Sequence, residues 1–447
     1  MPEIDILAPV KALHCSLGPI PHDESTNAGN IMVLENIFRQ QYRLPDSAFE
    51  QGLFLLYGDQ KTTQRIRMIK RRRERARQPY DTLKWALPVP ALFHLRMNYL
   101  YMMLRVHFGG QGGDPSTLYD AMNFWTRKGI SKSNSDFYAL EQLVIHSFHA
   151  RVCALLWHRL AQSGLVREFQ DVTQMLATQD AKSFSQLLDS IVNSYGNEAR
   201  SVNDIELRNH ILFLQHTQTY LLLKYAIKRA DIGLLRRAID RCCIYFHGSA
   251  QHKYAYEMLY LHRLISTSAA SPELQRAILA NGLVNPRGAA DGWFETDRLV
   301  ELHNGTLKKL FKDKRGSAIT LDYLFEHCAL NTEFFANLAN QIESLYGINR
   351  NGKHPEKSAK LDIMIMAQRL SRTGSIALRS GRTVKYEAAD ILHLGAARVA
   401  GDALVKFNGI ECSSSQYGFM ETDDPALEEE NEDEGEVAQF FATDGIE

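Results

Sequence analysis

Cysteine is scarce in this chain, and its placement is unpatterned. The six thiols (Cys15, Cys153, Cys242, Cys243, Cys328 and Cys412) are scattered over 447 residues and form no C-x-x-C, which excludes a disulfide scaffold and points to a reducing compartment. Long apolar runs are missing as well: stretches such as Tyr220 to Leu223 are soon broken by Lys and Arg, short of the roughly 20 residues a membrane helix needs. The expectation is a chain that does not span a bilayer. The Met-Pro-Glu-Ile-Asp opening carries acid where a secretory signal carries base, so an intracellular protein is expected. There is no G-x-S-x-G elbow, H-E-x-x-H helix or kinase signature set, which removes the commonest hydrolase, metalloprotease and kinase readings. No fixed-period repeat is visible, favouring a helical bundle over a solenoid.

Positive charge is missing from one place in particular. Residues 421–447 hold twelve acids and neither Lys nor Arg. The whole chain carries 51 basic and 52 acidic residues, so setting the tail aside leaves +11 on residues 1–420. A basic body with an acidic tail attracts polyanions, and the tail competes for the same surface. With 45% hydrophobic and 23% charged residues the composition is that of an ordinary globular protein, and the length implies two or three domains, or a small core with a large insertion.

The segment up to about Ser25, with Pro9, Gly18, Pro19 and Pro21, reads as irregular structure lying over something else. Residues 30–41 read as helix. Gln51 to Asp59 is a short apolar, aromatic run closed by Gly58-Asp59, which predicts a buried strand. Thr62 to Gln78 is a helix candidate with threonine at its start and Pro79 after its end. Leu83 to Phe93 is a second strand candidate that Pro88 and Pro90 confine to an edge. Leu95 to Val106 predicts a helix stopped by the glycines at 109, 110, 112 and 113, which lack the Lys-Ser/Thr of a phosphate loop.

From 115 to 282 the apolar period is 3.6. Phe137 to Leu160 predicts one long helix, and Asp204 to Ala230 another with Leu207, Ile211, Leu214, Leu221, Leu222 and Tyr225 inward. After a turn-rich junction at Leu283 to Trp293, helices are expected from Thr296-Asp297 to Phe311, over 320–346 and over 388–406. The fold expected is mostly α with a small α/β core, divided as 1–114 (first part of the core with a basic helix), 115–282 (helical insertion), 283–412 (helical part completing the core) and 413–447 (disordered acidic tail).

Four pieces of this chain, taken in order, resemble a family of fungal genomes that carries only the label of a domain of unknown function. They are Leu55-Leu-Tyr-Gly-Asp-Gln-Lys-Thr62, Pro88-Val-Pro-Ala-Leu-Phe-His-Leu-Arg-Met-Asn98, His252-Lys-Tyr-Ala255, and Leu283-Val-Asn-Pro-Arg-Gly288 leading to Trp293. The family usually shows Leu where this chain has Lys61, and many members are longer at the amino terminus, which implies a shortened copy. The resemblance brings no activity and no catalytic residues.

Those must come from the residues themselves. An Asp directly after a short strand, a polar residue after a neighbouring strand and a Glu on a late helix is the order in which RNase H-like nucleases and transposases place metal-binding carboxylates, some with a large helical insertion before the last Glu. Asp59, His94 and Glu301 occupy that order. Such chemistry needs hard oxygen ligands for Mg²⁺ at a phosphate. Imidazole is a poor Mg²⁺ ligand, but Asp297, four residues before Glu301, shares its helix face and can complete a set of Asp59, Asp297 and Glu301. The bland alternatives are a helix N-cap at Asp59 and a solvated acid at Glu301; an active centre and a degenerate, inactive one fit the sequence equally.

The sharpest local signal is the cationic run Arg65, Arg67, Lys70, Arg71, Arg72, Arg73, Arg75 and Arg77, relieved only by Glu74. Such a run contacts phosphate backbone, DNA being the expected partner, or serves as a nuclear address, and one segment can do both. It would surround its helix, which must then protrude or lie at an edge. A solvated helix paired with acids is the plain alternative. Cys242, Cys243, His247 and His252 fit no common zinc pattern and read as core thiols with a structural histidine. Two functions remain open: a transposase-like or transposon-derived nucleic-acid-binding protein with an intact or degenerate Mg²⁺ centre, and a non-enzymatic helical interaction module with a nuclear-targeting segment.

Overall fold

The structure is a computed structural model. It describes residues 4–164, 203–313, 331–347 and 359–413, apart from positions 16, 19, 111, 132–135, 163 and 250, and single positions between 186 and 197. Of the described residues, 64% are in helices and 5% in strands. The acidic tail and the first part of the helix expected over 320–346 lie outside the described residues.

Helix α1 (Asn27–Glu35) is capped by Thr26, runs into a π-helical turn, Asn36–Gln41, and is followed by α2 (Asp46–Gln51). Strand β1 (Phe54–Gly58) then leads straight into α3 (Gln60–Arg72), which returns the chain to β2 (Ala86–Pro90) alongside β1. The two strands are parallel, pairing Phe54 with Ala86 and Gly58 with Pro90, so this is a strand–helix–strand unit. Pro88 and Pro90 lack N–H groups for a further ladder, which suits a sheet of two strands.

Under this unit lies a small aromatic core. Trp85 is packed by Phe38 at 4.8 Å and Phe49 at 5.0 Å between ring centroids, and its Nε1 donates to the Tyr80 carbonyl at 2.9 Å. Two boundaries differ from expectation. The basic helix stops at Arg72 rather than Gln78, and residues 73–85 are turns, with Leu83 at φ 51°. The second strand starts only at Ala86, and the next helix, α4 (Leu92–His107), begins three residues earlier than Leu95.

The helical body continues with α5 (Leu118–Phe124), α6 (Phe137–Gln162), α7 (Ile205–Arg229) and α8 (Ile232–Gly248). Then come α9 (His252–Ser266) and α10 (Pro272–Asn281). A short antiparallel pair, β3 (Leu283–Val284) with β4 (Phe294–Glu295), brackets the turn-rich junction. Helices α11 (Thr296–Asp313), α12 (Thr332–Leu345), α13 (Lys360–Arg372), α14 (Ile391–Arg398) and α15 (Leu404–Ser413) follow.

One apolar cluster runs from Val89 on β2 through α4, α6, α7 and α8 to Phe407 on α15. It therefore crosses both boundaries drawn from the sequence at 114 and 282. Along α7 the expected inward face holds at Leu207, Ile211 and Leu214, but Tyr225 is 51% exposed. The opening segment is irregular and strapped down by its backbone: Leu7 N donates to the Ala230 carbonyl at 3.0 Å and Ala12 N to the Asn285 carbonyl at 2.9 Å.

Candidate functional site

The carboxyl ends of two parallel strands are where α/β units collect functional groups, because the helix N-termini that follow them point there. In this chain that edge is reached at Gly58-Asp59 after β1 and at Pro90-Ala91 after β2. Asp59 is the N-cap of α3: its Oδ1 accepts from Thr62 N at 2.7 Å, and its carbonyl accepts from Thr63 Oγ1 at 2.9 Å. Gly58 leaves room for this turn, since a Cβ there would lie 3.0 Å from the Thr62 side chain. The Gly-Asp-Gln-Lys-Thr stretch is thus a strand end closed by a capping turn, the bland reading offered for Asp59.

Helix α4 starts without a cap of its own, because its N-cap is Ala91. The missing acceptor comes from 203 residues away. Asp297, in the first turn of α11, accepts from Phe93 N at 3.0 Å and His94 N at 3.1 Å through Oδ2, and the same oxygen meets His94 Nδ1 at 3.0 Å. Both side chains are nearly buried, 14% and 10% exposed. Burial disfavours the imidazolium, yet the His94 pKa is raised, because the Asp297 hydrogen bond and charge, and then the charges of Asp59 and Glu301, together outweigh it. The fields of all three carboxylates expected from the sequence therefore converge on His94.

Two further groups face this cluster. Asn98, one turn along α4, donates to the His94 carbonyl at 3.0 Å and hydrogen-bonds the Tyr254 hydroxyl. Burial raises the pKa of the Tyr254 phenol, and the charges of Asp59, Glu257 and Asp297 raise it further. The His252-to-Ala255 stretch entered the sequence analysis only as part of the family resemblance, and nothing local in it places Tyr254 near Asp59. The signal was available only as co-occurrence, since Asp59, His94, Asn98 and Tyr254 all sit inside the short stretches that carried the resemblance.

The electrostatics fit a protonated histidine held among acids better than a metal cage. Both oxygens of Asp297 are engaged by α4 donors, and among the described residues no group of three or more His, Cys, Asp or Glu side chains is arranged to hold a metal ion. As placed, Asp59, Asp297 and Glu301 do not fit Mg²⁺. The same holds for the thiols: Cys242 and Cys243 are buried, burial raises both pKa values, and His247 Nδ1 lies 2.8 Å from the Cys243 carbonyl. His252 is exposed.

The cationic run divides by face and by end. Arg67 is 7% exposed and turned inward, where Glu257 holds its guanidinium, with Arg67 Nη1 to Oε2 at 3.0 Å, and the Tyr260 ring lies 4.4 Å away. Thr63 Oγ1 donates to the same carboxylate at 3.0 Å. Lys70 donates to the Ala86 carbonyl, and burial pushes its pKa down to about 8. Arg65 donates to the Glu24 carbonyl at 3.0 Å, and Arg73 lies 3.7 Å from Asp81.

Arg71, Arg72, Arg75 and Arg77 are exposed. The expectation that the cations surround the helix is thus corrected, because one face of α3, with Thr63, Ile66, Arg67 and Ile69, is packed into the fold. Of the exposed arginines, Arg71 and Arg72 close α3 at the end opposite Asp59, and Arg75 and Arg77 lie in the turns just beyond it. Thirteen residues at 1.5 Å per residue separate the two ends by about 20 Å.

Comparisons with curated proteins and with solved structures returned no match. No described helix is long and apolar enough to cross a membrane. A family model matches residues 1–354, a span that includes every residue of the cluster around His94. The chain belongs to that family, the Family of unknown function (DUF6589).

Proposed function

We propose that this chain is a nucleic-acid-binding protein of the transposase-like kind, with a degenerate rather than a metal-loaded centre. One observation carries the reading: Asp59, His94, Asp297 and Glu301, drawn from segments up to 242 positions apart in the sequence, share one electrostatic neighbourhood at the carboxyl edge of β1 and β2. That convergence supports descent from, or likeness to, an RNase H-like arrangement. The engagement of Asp297 by α4 and His94 supports a centre in which an imidazolium stands among the carboxylates. With both Asp297 oxygens engaged by α4, the carboxylates as placed do not fit Mg²⁺, and the centre carries no Mg²⁺-dependent step.

DNA contact is assigned to the exposed arginines at the far end of α3. Phosphates recur every 3.4 Å along a strand, so four guanidiniums in a turn can each meet one. Arg71, Arg72, Arg75 and Arg77 carry this role; Arg67, Lys70, Arg65 and Arg73 serve the fold. A segment of this kind can also act as a nuclear address.

The test is fluorescence anisotropy of the full chain on duplex DNA across a salt series. Neutralising Arg71, Arg72, Arg75 and Arg77 to Gln should reduce the slope of log K against log salt by about 3 to 4, since each phosphate contact contributes about 0.9. Neutralising the exposed Arg159 should leave the slope unchanged. An intact chain with no salt-dependent binding, or a quadruple variant with an unchanged slope, overturns the assignment and leaves the helical interaction module as the surviving reading.

A further inference from the structure

A cavity of about 360 Å³ opens between one face of α9 and the carboxy-terminal helices α14 and α15. We propose that it binds a phosphate monoester carried on an aromatic body: a free nucleoside monophosphate, or the 5′-phosphate end of a strand. This site is separate from the arginines of α3 and stands or falls independently of the DNA reading.

The cavity has a cationic rim and an apolar wall. His247, His252, Arg398 and Lys406 line it against a single acid, Asp402. Arg398 and Lys406 supply the positive charge of that rim; burial lowers the His247 pKa against its hydrogen bond to the Cys243 carbonyl, and the neighbouring His252 and Arg398 lower it further, so His247 stands there as a neutral hydrogen-bonding ring. Like charges gathered round an opening favour an anion inside it.

Helix α9 adds its own positive end. It begins at His252 on the rim, and its N-cap, Gln251, makes no side-chain capping bond, so the first-turn N–H groups have no acceptor from that residue. The Lys406–Asp402 pair, at 2.6 Å, is exposed on both sides, and an exposed pair of that kind exchanges partners at little cost. Arg398 is fixed in place by the last carbonyl groups of α8, donating to His247 O at 2.5 Å.

The wall is aromatic. Tyr256 and Phe407 meet with ring centroids 5.1 Å apart at 58°, and Leu259 and Ala255 continue the same face of α9. A ring-bearing ligand can rest against these rings while its phosphate reaches the rim, and the volume falls within the range of small-molecule sites.

The wall is held to the body at a pair of glycines. A Cβ on Gly248 would lie 1.8 Å from the Ile391 carbonyl, and one on Gly395 1.9 Å from the Ile244 carbonyl, so α8 and α14 touch backbone to backbone. This arrangement fixes Arg398 at the cavity mouth. The residues of α14 and α15 lie beyond the span that the family model matches, so the site depends on a part of this chain outside that match.

The experiment is titration calorimetry on the full chain with AMP, with adenosine, and with a dinucleotide carrying either a 5′-phosphate or a 5′-hydroxyl. AMP should bind about tenfold or more tightly than adenosine, and Lys406→Ala and His252→Ala, both at exposed positions, should each weaken AMP by several-fold and together by about tenfold or more. Preference for the 5′-phosphorylated dinucleotide over the 5′-hydroxyl form identifies a strand end as the ligand; binding of AMP alone identifies a free nucleotide. Equal affinity for AMP and adenosine, or full AMP affinity in the double variant with unchanged circular dichroism, overturns the proposal. The Arg71, Arg72, Arg75 and Arg77 variant should bind AMP as the intact chain does, which keeps this result distinct from the DNA test.

Discussion

Replacing Asp297 by Asn separates a structural clasp from an idle surface acid. The carboxylate accepts two backbone N–H groups at the start of α4 and pairs with His94. Asn keeps one acceptor, loses the charge and turns an NH₂ toward donors. Losing one partner of a nearly buried ion pair costs about 3–5 kcal/mol, and the weakened cap of α4 falls within that figure, since the same oxygen serves both. The pH dependence follows from the raised pKa of His94. A raised folded-state pKa means that the stabilisation is complete below the unfolded value of about 6.5 and is lost as pH rises through the folded value.

Asp297→Asn should therefore cost more at pH 6 than at pH 9. Its His94 should titrate below the ordinary histidine value, because burial, the largest single influence on that ring, then acts with the main opposing carboxylate gone. NMR titration of the His94 ring together with urea midpoints at the two pH values reads both effects. A variant whose His94 titrates as in the intact chain, or whose stability loss is the same at both pH values, refutes the clasp.

Three further outcomes are expected. Glu257→Gln should destabilise by about 3 kcal/mol or more, because Arg67 would be left buried without its carboxylate; a midpoint shift of less than about 1 kcal/mol in urea unfolding would place Arg67 in water. Gly395→Ala gains roughly 1 kcal/mol of helix propensity but drives a Cβ into the Ile244 backbone; backbone cannot swing away as a side chain can, so a net loss of about 1–3 kcal/mol is expected by thermal melting, and a neutral result would mean that α8 and α14 do not touch.

The buried His107–His216 pair, 2.8 Å apart, has no acid at hydrogen-bond distance among the described residues, and burial pushes His216 down to about 4. A depressed histidine lets the unfolded chain bind protons first, so stability falls from about pH 6.5 toward pH 4, by roughly 3 kcal/mol for that one group. His216→Leu should flatten the acid limb of the stability curve, and an unchanged limb would assign it to other groups.

The secondary structure was legible where one physical signal acted alone. The 3.6 period of residues 137–160 and 204–230 gave helices within two residues of those found, because long amphipathic runs have few alternative ways to bury their apolar face. The basic segment misled because charge density was read as exposure. Its apolar residues Ile66 and Ile69 and the methyl-bearing Thr63 are three to six apart and turn one face inward, and Arg67 follows them because a buried carboxylate, invisible from local sequence, waits on α9.

The pairing of Asp297 with His94 was half legible. Both were named from strand-end and helix-face arguments, but as metal ligand and catalytic residue. That Ala91 cannot cap its own helix was written in the sequence, but that Asp297 supplies the missing acceptor was not.

The charges of α3 connect these observations. Asp59 closes its amino end with a carboxylate, where the helix dipole favours negative charge, and Lys70, Arg71 and Arg72 occupy its last turn, where the dipole favours positive charge. The same polarity that stabilises the helix sorts its functional groups, placing the acid edge about 20 Å from Arg71 and Arg72 on one rigid element, with Arg75 and Arg77 in the turns that follow. Glu257 locks the middle of that element to α9 through Arg67, and α9 presents Tyr254 to the acid edge and Tyr256 to the cavity by the carboxy-terminal helices. A ligand that shifts α9 would therefore act on both ends of α3 at once, so AMP bound at the cavity should change the DNA affinity of the intact chain, and the Glu257→Gln variant, with its lock removed, should lose that coupling.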